Sequence, residues 1–263
     1  MFQAIAASPS VCVVVPARNE ATTVGPIVEC LVEMAPLVSE VVVVDDGSTD
    51  GTAAVALGAG ARLVDAGRPG AARGAGPGKG RAMWAGVAET DSDIVVFCDA
   101  DLSSLPPGYV TGLLDALTSR PATVLAKGSY RRGGTGGRVN ELVARPGLAL
   151  LHPQLGHISQ PLGGEYAAWR QALAQVPFVS GYGVDVGLLI DLAGRFGAAA
   201  VVEADLGERH HRNRPLEELR PQAQAVLEVI LNRAGHLPRR PAECPPLDPP
   251  PQLRAISPSL PRR

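Results

Sequence analysis

Ile94-Val95-Val96-Phe97-Cys98-Asp99-Ala100-Asp101 runs from five apolar residues straight into two carboxylates. A short, β-branched apolar run bounded by polar residues reads as an interior strand. In open α/β sheets, ligands gather at the carboxyl ends of the strands. Two acids one residue apart at such an end suit a hard divalent cation, which takes oxygen ligands and keeps affinity for phosphate oxygens. Acids that merely cap a turn are the plainer alternative, and the flanking segments weigh between the two.

Upstream, Val11 to Val15 reads as a first buried strand, ended by Pro16, with Ala17-Arg18-Asn19-Glu20 as the turn. Thr22 or Thr23 caps a helix to about Met34. Val41 to Val44 is a second strand that delivers Asp45-Asp46-Gly47-Ser48-Thr49-Asp50, and Asp50 caps a helix to about Leu57. Arg62-Leu63-Val64 is a third strand. This alternation predicts right-handed parallel crossovers. Gly67 to Gly80 is a glycine-rich loop ending in Gly78-Lys79-Gly80, followed by a helix from Arg81 to Thr90. It is not a Walker loop, because no Ser or Thr follows the lysine. Polar clusters therefore recur at strand ends, which places several reactive groups on one rim.

Downstream, Val124 to Gly128 is a strand, followed by Tyr130-Arg131-Arg132 and the flexible Gly133 to Gly137. Arg138 to Leu142 opens a helical stretch reaching Pro146. Helices are predicted over 160–172 and 182–196, a late strand over Ala198 to Val202, and a last helix from Pro215 to about Ala234. Beyond Leu237 the chain is crowded with prolines and reads as a disordered or extended tail.

At 263 residues one α/β domain is ordinary. Aromatic residues make up only 4%, so the core is expected to be aliphatic. A formal charge of −2 gives no reason to expect nonspecific nucleic-acid binding. Local basic clusters at Arg131-Arg132 and Arg209 to Arg214 point instead to small anionic ligands. The four cysteines form no Cys-x-x-Cys pair; Cys12 and Cys98, inside apolar runs, read as buried free thiols, which fits a reducing cytoplasm. No apolar segment reaches the length of a membrane span, and the N-terminus lacks a signal-peptide pattern.

Three further groups carry chemistry. Asp45-Asp46 can accept hydrogen bonds from a base or ribose, although the pair equally suits a capped turn. Lys79 offers a mobile cation beside a diphosphate, although an exposed loop lysine is the commoner case. In Arg209-His210-His211-Arg212-Asn213-Arg214, one imidazole could complete a metal shell begun by Asp101 while its neighbours neutralise phosphate. A solvated basic loop is the plainer alternative. Adjacent histidines do not make a zinc motif.

Pro16-Ala-Arg-Asn-Glu20, Val44-Asp-Asp-Gly-Ser-Thr-Asp50 and Asp99-Ala-Asp101, in this order, resemble the nucleotide-diphospho-sugar transferases of the GT-A fold, over roughly Val11 to Leu219. Five later blocks are more discriminating and resemble the glucosyl-3-phosphoglycerate synthases. They are Gly137-Arg-Val-Asn-Glu-Leu-Val-Ala-Arg-Pro146, Gln160-Pro-Leu-Gly-Gly-Glu-Tyr-Ala167, Pro177-Phe178, Gly181-Tyr-Gly-Val-Asp-Val-Gly-Leu188 and His211-Arg-Asn-Arg-Pro-Leu216.

The resemblance implies an α/β, Rossmann-like GT-A fold with a mostly parallel central sheet flanked by helices. Its domain covers 1–220, with a nucleotide-sugar half to about 127 and an acceptor half over 128–220. A C-terminal helix (221–237) and the Pro-rich tail (238–263) follow. It further implies metal-dependent, retaining transfer of glucose from UDP-glucose, or another NDP-glucose, to the 2-hydroxyl of 3-phosphoglycerate. Pro16, Ala17, Asn19, Glu20 and Asp46 would contact the nucleoside, with Lys79, Asp99 and Ala100 also on the donor side. Asp101 and His211 would hold Mg2+ or Mn2+. Gly137, Arg138, Asn140 and Asn213 would form the acceptor site, and Asp185 would approach the transferred sugar. Asp101, Asp185 and Arg138 are the expected catalytic set, in a cytoplasmic enzyme that needs neither nucleic acid nor membrane and could pair as a homodimer.

Three residues depart from the family pattern: Ala100 where Ser is common, Asn140 for Thr, and Asp185 for Glu. A GT-A mannosyl or polyprenyl-phosphate transferase, a sugar-1-phosphate nucleotidyltransferase and a noncatalytic nucleotide-sugar binder are the competing expectations. Lipid acceptors would favour a membrane helix. A nucleotidyltransferase would place a Gly-rich basic loop after the first strand. A binder would consume no donor.

Overall fold

Runs of valine, stiff at χ1 and suited to a pleated surface, build the centre of the sheet in a computed structural model that describes residues 8–67, 76–102, 105–106, 108–132, 137–209, 215–238 and 241–247. In chain order the elements are β1 (Val11–Ala17), α1 (Val24–Val32), β2 (Glu40–Asp45), α2 (Thr52–Gly58), β3 (Arg62–Asp65), α3 (Lys79–Ala88), β4 (Ile94–Phe97) and α4 (Gly108–Thr118). Then follow β5 (Leu125–Arg132), α5 (Arg145–Leu151), β6 (Tyr166–Trp169), α6 (Arg170–Leu173), β7 (Phe178–Val179), α7 (Val184–Phe196), β8 (Val201–Arg209), α8 (Leu216–Arg233) and β9 (Glu243–Cys244).

Seven strands form one sheet in the order β3-β2-β1-β4-β6-β5-β8. The β3/β2, β2/β1, β1/β4 and β5/β8 pairs are parallel, and β6 runs antiparallel to both β4 and β5. This is the mostly parallel sheet expected of a GT-A fold. Chain order reverses direction across the sheet at β1 and β4, and such a switch point opens a crevice at the strand ends.

Alternate residues of β1 serve opposite layers, as a period of two requires. Cys12 and Val14 join the core with α3, α7 and α8, while Val13 and Val15 join the one with α1 and α4. A Cβ on Gly86 would lie 2.4 Å from a methyl of Val14, so a glycine there lets α3 settle directly on β1 and carry its first turn to the rim.

Several local expectations need correction. Pro16 does not end β1: it pairs with Val44 of β2, beyond the last residue registered to β4, where its missing N–H disturbs only one neighbour. Gly51, not Asp50, occupies the cap position of α2, and Asp50 instead accepts from the backbone N–H of Thr52 at 3.0 Å. The helix expected over 160–172 is β6 followed by the short α6. Tyr166-Ala-Ala-Trp169 is wedged between β4 and β5 and bonds both, so tertiary pairing overrides alanine's helical preference. The late strand starts at Val201, after a 3₁₀ turn over Ala198–Ala200. The helical stretch from Arg138 passes Pro146 and ends at Leu151, because a π turn over Asn140–Ala144 precedes the proline and absorbs its missing donor.

The tail is not disordered over 241–247. Glu243–Cys244 pairs antiparallel with Phe178–Val179, and Cys244 is fully buried. Among the described residues no helix is long and apolar enough to cross a membrane.

Candidate functional site

The ends of β1, β2 and β4 open into a cleft of about 530 Å³. Pro16 and Ala17 close β1 there, Asp46 follows β2, and Asp99, Ala100 and Asp101 follow β4. Glu20 completes the wall on that side. From the other side, α3 contributes Lys79, the start of the next helical stretch contributes Gly137, Arg138 and Asn140, and α7 contributes Asp185. Asn19 is not part of this wall. Its backbone is left-handed (φ 57°), its N–H donates to Ser48 Oγ at 3.0 Å and its side-chain oxygen accepts from the Thr49 N–H at 2.8 Å. It ties the turn after β1 to the turn after β2. His211 and Asn213, the Gly133–Gly136 segment and much of the loop before Gly76 lie outside the described residues.

Lys79 sits at the centre of the cleft's charge. As the first residue of α3, its Nζ lies 2.9 Å from Asp99 Oδ1 and 2.9 Å from Asp185 Oδ2. Burial opposes its charge, yet the Asp185 and Asp99 carboxylates outweigh burial and raise the lysine's pKa. Lys79 stays protonated throughout any working pH. Asp185 stands in the first turn of α7, where the helix dipole favours an anion. Its other oxygen, Oδ1, accepts from the Tyr166 hydroxyl at 3.2 Å. Burial, then Asp185, raises the Tyr166 pKa, so the phenol remains a donor.

A second lysine lies beneath. Lys127 of β5 is 1% exposed, its Nζ donates to the Gly163 carbonyl at 2.5 Å and stands 4.2 Å from the centre of the Tyr166 ring. Burial pushes its pKa down to about 8, partly offset by Asp185. Beyond the end of β2, Asp46 is buried, accepts from Arg81 at 2.6 Å and has Arg18 at 3.9 Å. A charged pair so nearly desolvated holds both side chains in one arrangement.

Asn140 is 2% exposed and its amide is committed to the protein. Nδ2 donates to Ser159 O at 3.0 Å and to Glu141 Oε1 at 3.1 Å, while Oδ1 accepts from the Leu162 N–H at 3.4 Å. It braces the 159–162 loop against the helix that begins at Arg138. Gly137 has φ 76°, a backbone turn that other residues rarely adopt.

Asp101 is exposed at the cleft edge. Among the described residues no group of three His, Cys, Asp or Glu side chains could hold a metal alone. One or two carboxylates beside a phosphate-sized space nevertheless fit the way Mg2+ binds, with substrate oxygens and water completing the octahedron.

Residues not singled out from sequence also shape the site. Arg81 and Arg18 hold Asp46, and Tyr166 and Lys127 support Asp185. A charged residue inside the apolar stretch Leu125-Ala-Lys-Gly128 was the available signal for Lys127. A Cβ on Gly164 would come within 2.1 Å of the Asp99 carboxylate, so that glycine admits the acid.

The family model for glycosyl transferase family 2 matches residues 12–180. The chain is 44% identical over 247 residues to the glucosyl-3-phosphoglycerate synthase of Mycolicibacterium paratuberculosis, covering 89% of this chain and 75% of that one. It is 38% identical to the enzyme of the same name from Petrotoga mobilis, covering 83% and 71%. The solved Mycobacterium tuberculosis glucosyl-3-phosphoglycerate synthase, in complex with Mn2+, UDP-glucose and phosphoglyceric acid, superimposes with a TM-score of 0.84 at 41% identity over 90% of each chain. Another structure of that enzyme holds Mg2+ and UDP.

Proposed function

This chain belongs to glycosyl transferase family 2 and, within it, to the glucosyl-3-phosphoglycerate synthases, and on that footing we propose that it transfers glucose from UDP-glucose to the 2-hydroxyl of 3-phosphoglycerate, with retention of configuration. The observation that carries the proposal is the convergence of Lys79, Asp99 and Asp185 beside Asp101 in the switch-point cleft.

The sheet half through residue 127 holds the donor, and 128–220 supplies the acceptor side, with Leu219 and Gln222 of α8 closing the cleft. Pro16, Ala17, Glu20 and Asp46 receive the nucleoside, Asp46 already fixed by Arg81. Asp99 and Asp185 receive hydroxyls of the sugar, and Lys79 draws the two carboxylates together and relieves their mutual repulsion. Asp101 holds the divalent metal, Mg2+ or Mn2+, with His211. The bound metal supplies a Lewis acid that offsets negative charge on the departing diphosphate.

Both Asp185 oxygens are already hydrogen-bonded, to Lys79 and Tyr166. A carboxylate so occupied favours positioning over nucleophilic attack, which supports front-face transfer in which the acceptor hydroxyl gives its proton to a phosphate oxygen of the leaving group. Arg138, at the cleft edge, anchors the acceptor's phosphate or carboxylate through its planar fork. Asn213 and Gly137 complete that side, and Asn140 holds its shape. The four free thiols suit a cytoplasmic place of work.

The test is a matrix of nucleotide sugars against 3-phosphoglycerate and glycerate, with product identified by mass and chelator added in parallel. A glucosyl-3-phosphoglycerate mass that vanishes with chelator is expected. Donor binding without any product would reassign the chain as a binder.

A further inference from the structure

The segment 241–247 lies far along the chain from the cleft, yet it is built into the cleft's foundation. Glu243–Cys244 pairs antiparallel with β7, and the Ala242 carbonyl accepts from both the Ser180 N–H at 2.9 Å and the Ser180 hydroxyl at 3.1 Å. Ser180 in turn presents its carbonyl to the first turn of α3, where the N–H groups of Gly80 and Arg81 donate to it at 3.0 and 3.4 Å. That turn carries Lys79 and Arg81, the two cations that hold Asp99, Asp185 and Asp46.

The approach leaves no slack. A Cβ on Gly80 would lie 1.7 Å from the Val179 carbonyl oxygen, and one on Gly78 would lie 2.7 Å from that of Ser180. A shift of β7 therefore moves the start of α3 with it. Two further ties fix the segment. Trp84, on the next turn of α3, donates its indole N–H to the Pro245 carbonyl at 2.7 Å. Arg233 at the end of α8 grips Glu243 at 2.6 Å and Asp191 of α7 at 2.7 and 2.8 Å. The strap thus joins α3, α7 and α8, the three helices that enclose the cleft opposite the parallel strands.

We infer that residues 241–247, acting through Ser180 and Trp84, are positioning elements of the donor site: they set the first turn of α3 and hence the reach of Lys79 and Arg81 toward the nucleotide sugar. This rests on the donor assignment proposed above. A strap that only stabilised the fold would lower melting temperature and leave the kinetic constants of the surviving enzyme untouched. A positioning strap changes the handling of the donor and spares that of the acceptor, whose anchors hang on other elements.

The experiment uses the full chain with Trp84→Phe and Ser180→Ala combined, which removes two side-chain ties while leaving the β7/β9 backbone bonds. A second variant ends at residue 238. Steady-state kinetics are measured for UDP-glucose and 3-phosphoglycerate separately, with thermal unfolding alongside. The double variant should raise the donor KM about fivefold, the scale of one lost hydrogen bond, and the shortened chain should raise it further. The acceptor KM should stay within about twofold. Equal shifts in both constants, or an unchanged donor KM in a double variant with a lowered melting temperature, would overturn the inference. A shortened chain that does not fold leaves the double variant to decide. Failure of the wild type to glucosylate 3-phosphoglycerate would instead overturn the reaction assignment, so the two failures are separable.

Discussion

The two sides of the cleft are built by different physics. On the proposed donor side, β1, β2 and β4 are parallel neighbours whose ladders run up to the cleft, so Pro16, Ala17, Asp46 and Asp99 inherit their positions from sheet hydrogen bonds. On the proposed acceptor side, Gly137, Arg138 and Asn140 stand at the entry to a helical stretch distorted by a π turn, beyond a bulge in β5, and the Asn140 side chain ties that entry to the 159–162 loop. The proposed donor side is fixed by backbone ladders shared among strands, and the proposed acceptor side depends more on single side-chain bonds. Change of substrate is therefore easier to reach by substitution on the acceptor side, where no strand must move.

The largest effects should come from the donor side. Asp101→Ala should cut turnover about a thousandfold, matched by excess chelator on the wild type, because charge on the leaving diphosphate loses its stabiliser. Undiminished rates under both treatments would dissolve the distinction between the sides. Lys79→Met leaves Asp99 and Asp185 without the lysine between them. Turnover should fall about a hundredfold, read by single-turnover kinetics, and the loss of the cation shared by two carboxylates should lower the urea midpoint as well. Gly164→Ala drives a methyl into the Asp99 carboxylate. About a tenfold loss in kcat with the acceptor KM unchanged is expected.

On the acceptor side, Arg138→Ala should raise the 3-phosphoglycerate KM by about tenfold or more, as loss of a charged hydrogen bond would, and leave donor binding alone. Asn140→Ser, which removes only a brace, should raise it about threefold. Titration calorimetry with each substrate separates these cases, and equal losses for donor and acceptor would break the comparison.

The smallest effect concerns pH. Lys127 has its pKa lowered to about 8 from the ordinary 10.5. Between those values the unfolded chain binds more protons than the folded one, so folding stability rises with pH across the window. The urea midpoint of wild type relative to Lys127→Met should climb from the lower end of that window to the upper. A flat difference would mean that Lys127 keeps its proton in the fold.

The donor side was the more legible half. Valine runs ending in acids announce buried strands and a reactive rim locally; Asp46, Asp99 and Asp101 were readable as candidates on that basis, and Lys79 from the glycine-rich loop that carries it. The acceptor side relied on resemblance, and its elements were read less well. Tyr166-Ala-Ala-Trp169 has no period that distinguishes strand from helix, and only its place between β4 and β5 settles it. Asn140 could be named from its block, but its commitment to Ser159 and Leu162 depends on a loop folding back over it.

The sequence by itself determined that the first half carries buried strands at these places and which acids crown them, because side-chain periodicity and turn chemistry act over a few residues. Only the tertiary structure decided that Lys79 would meet Asp185, 106 residues away, that Lys127 would lie under Tyr166, and that the proline-rich segment at 241–247 would clasp β7. Those contacts depend on the order of strands in the sheet and on which helices share a face. That order is chosen by burial of the whole apolar surface at once, and no short window of the chain encodes it.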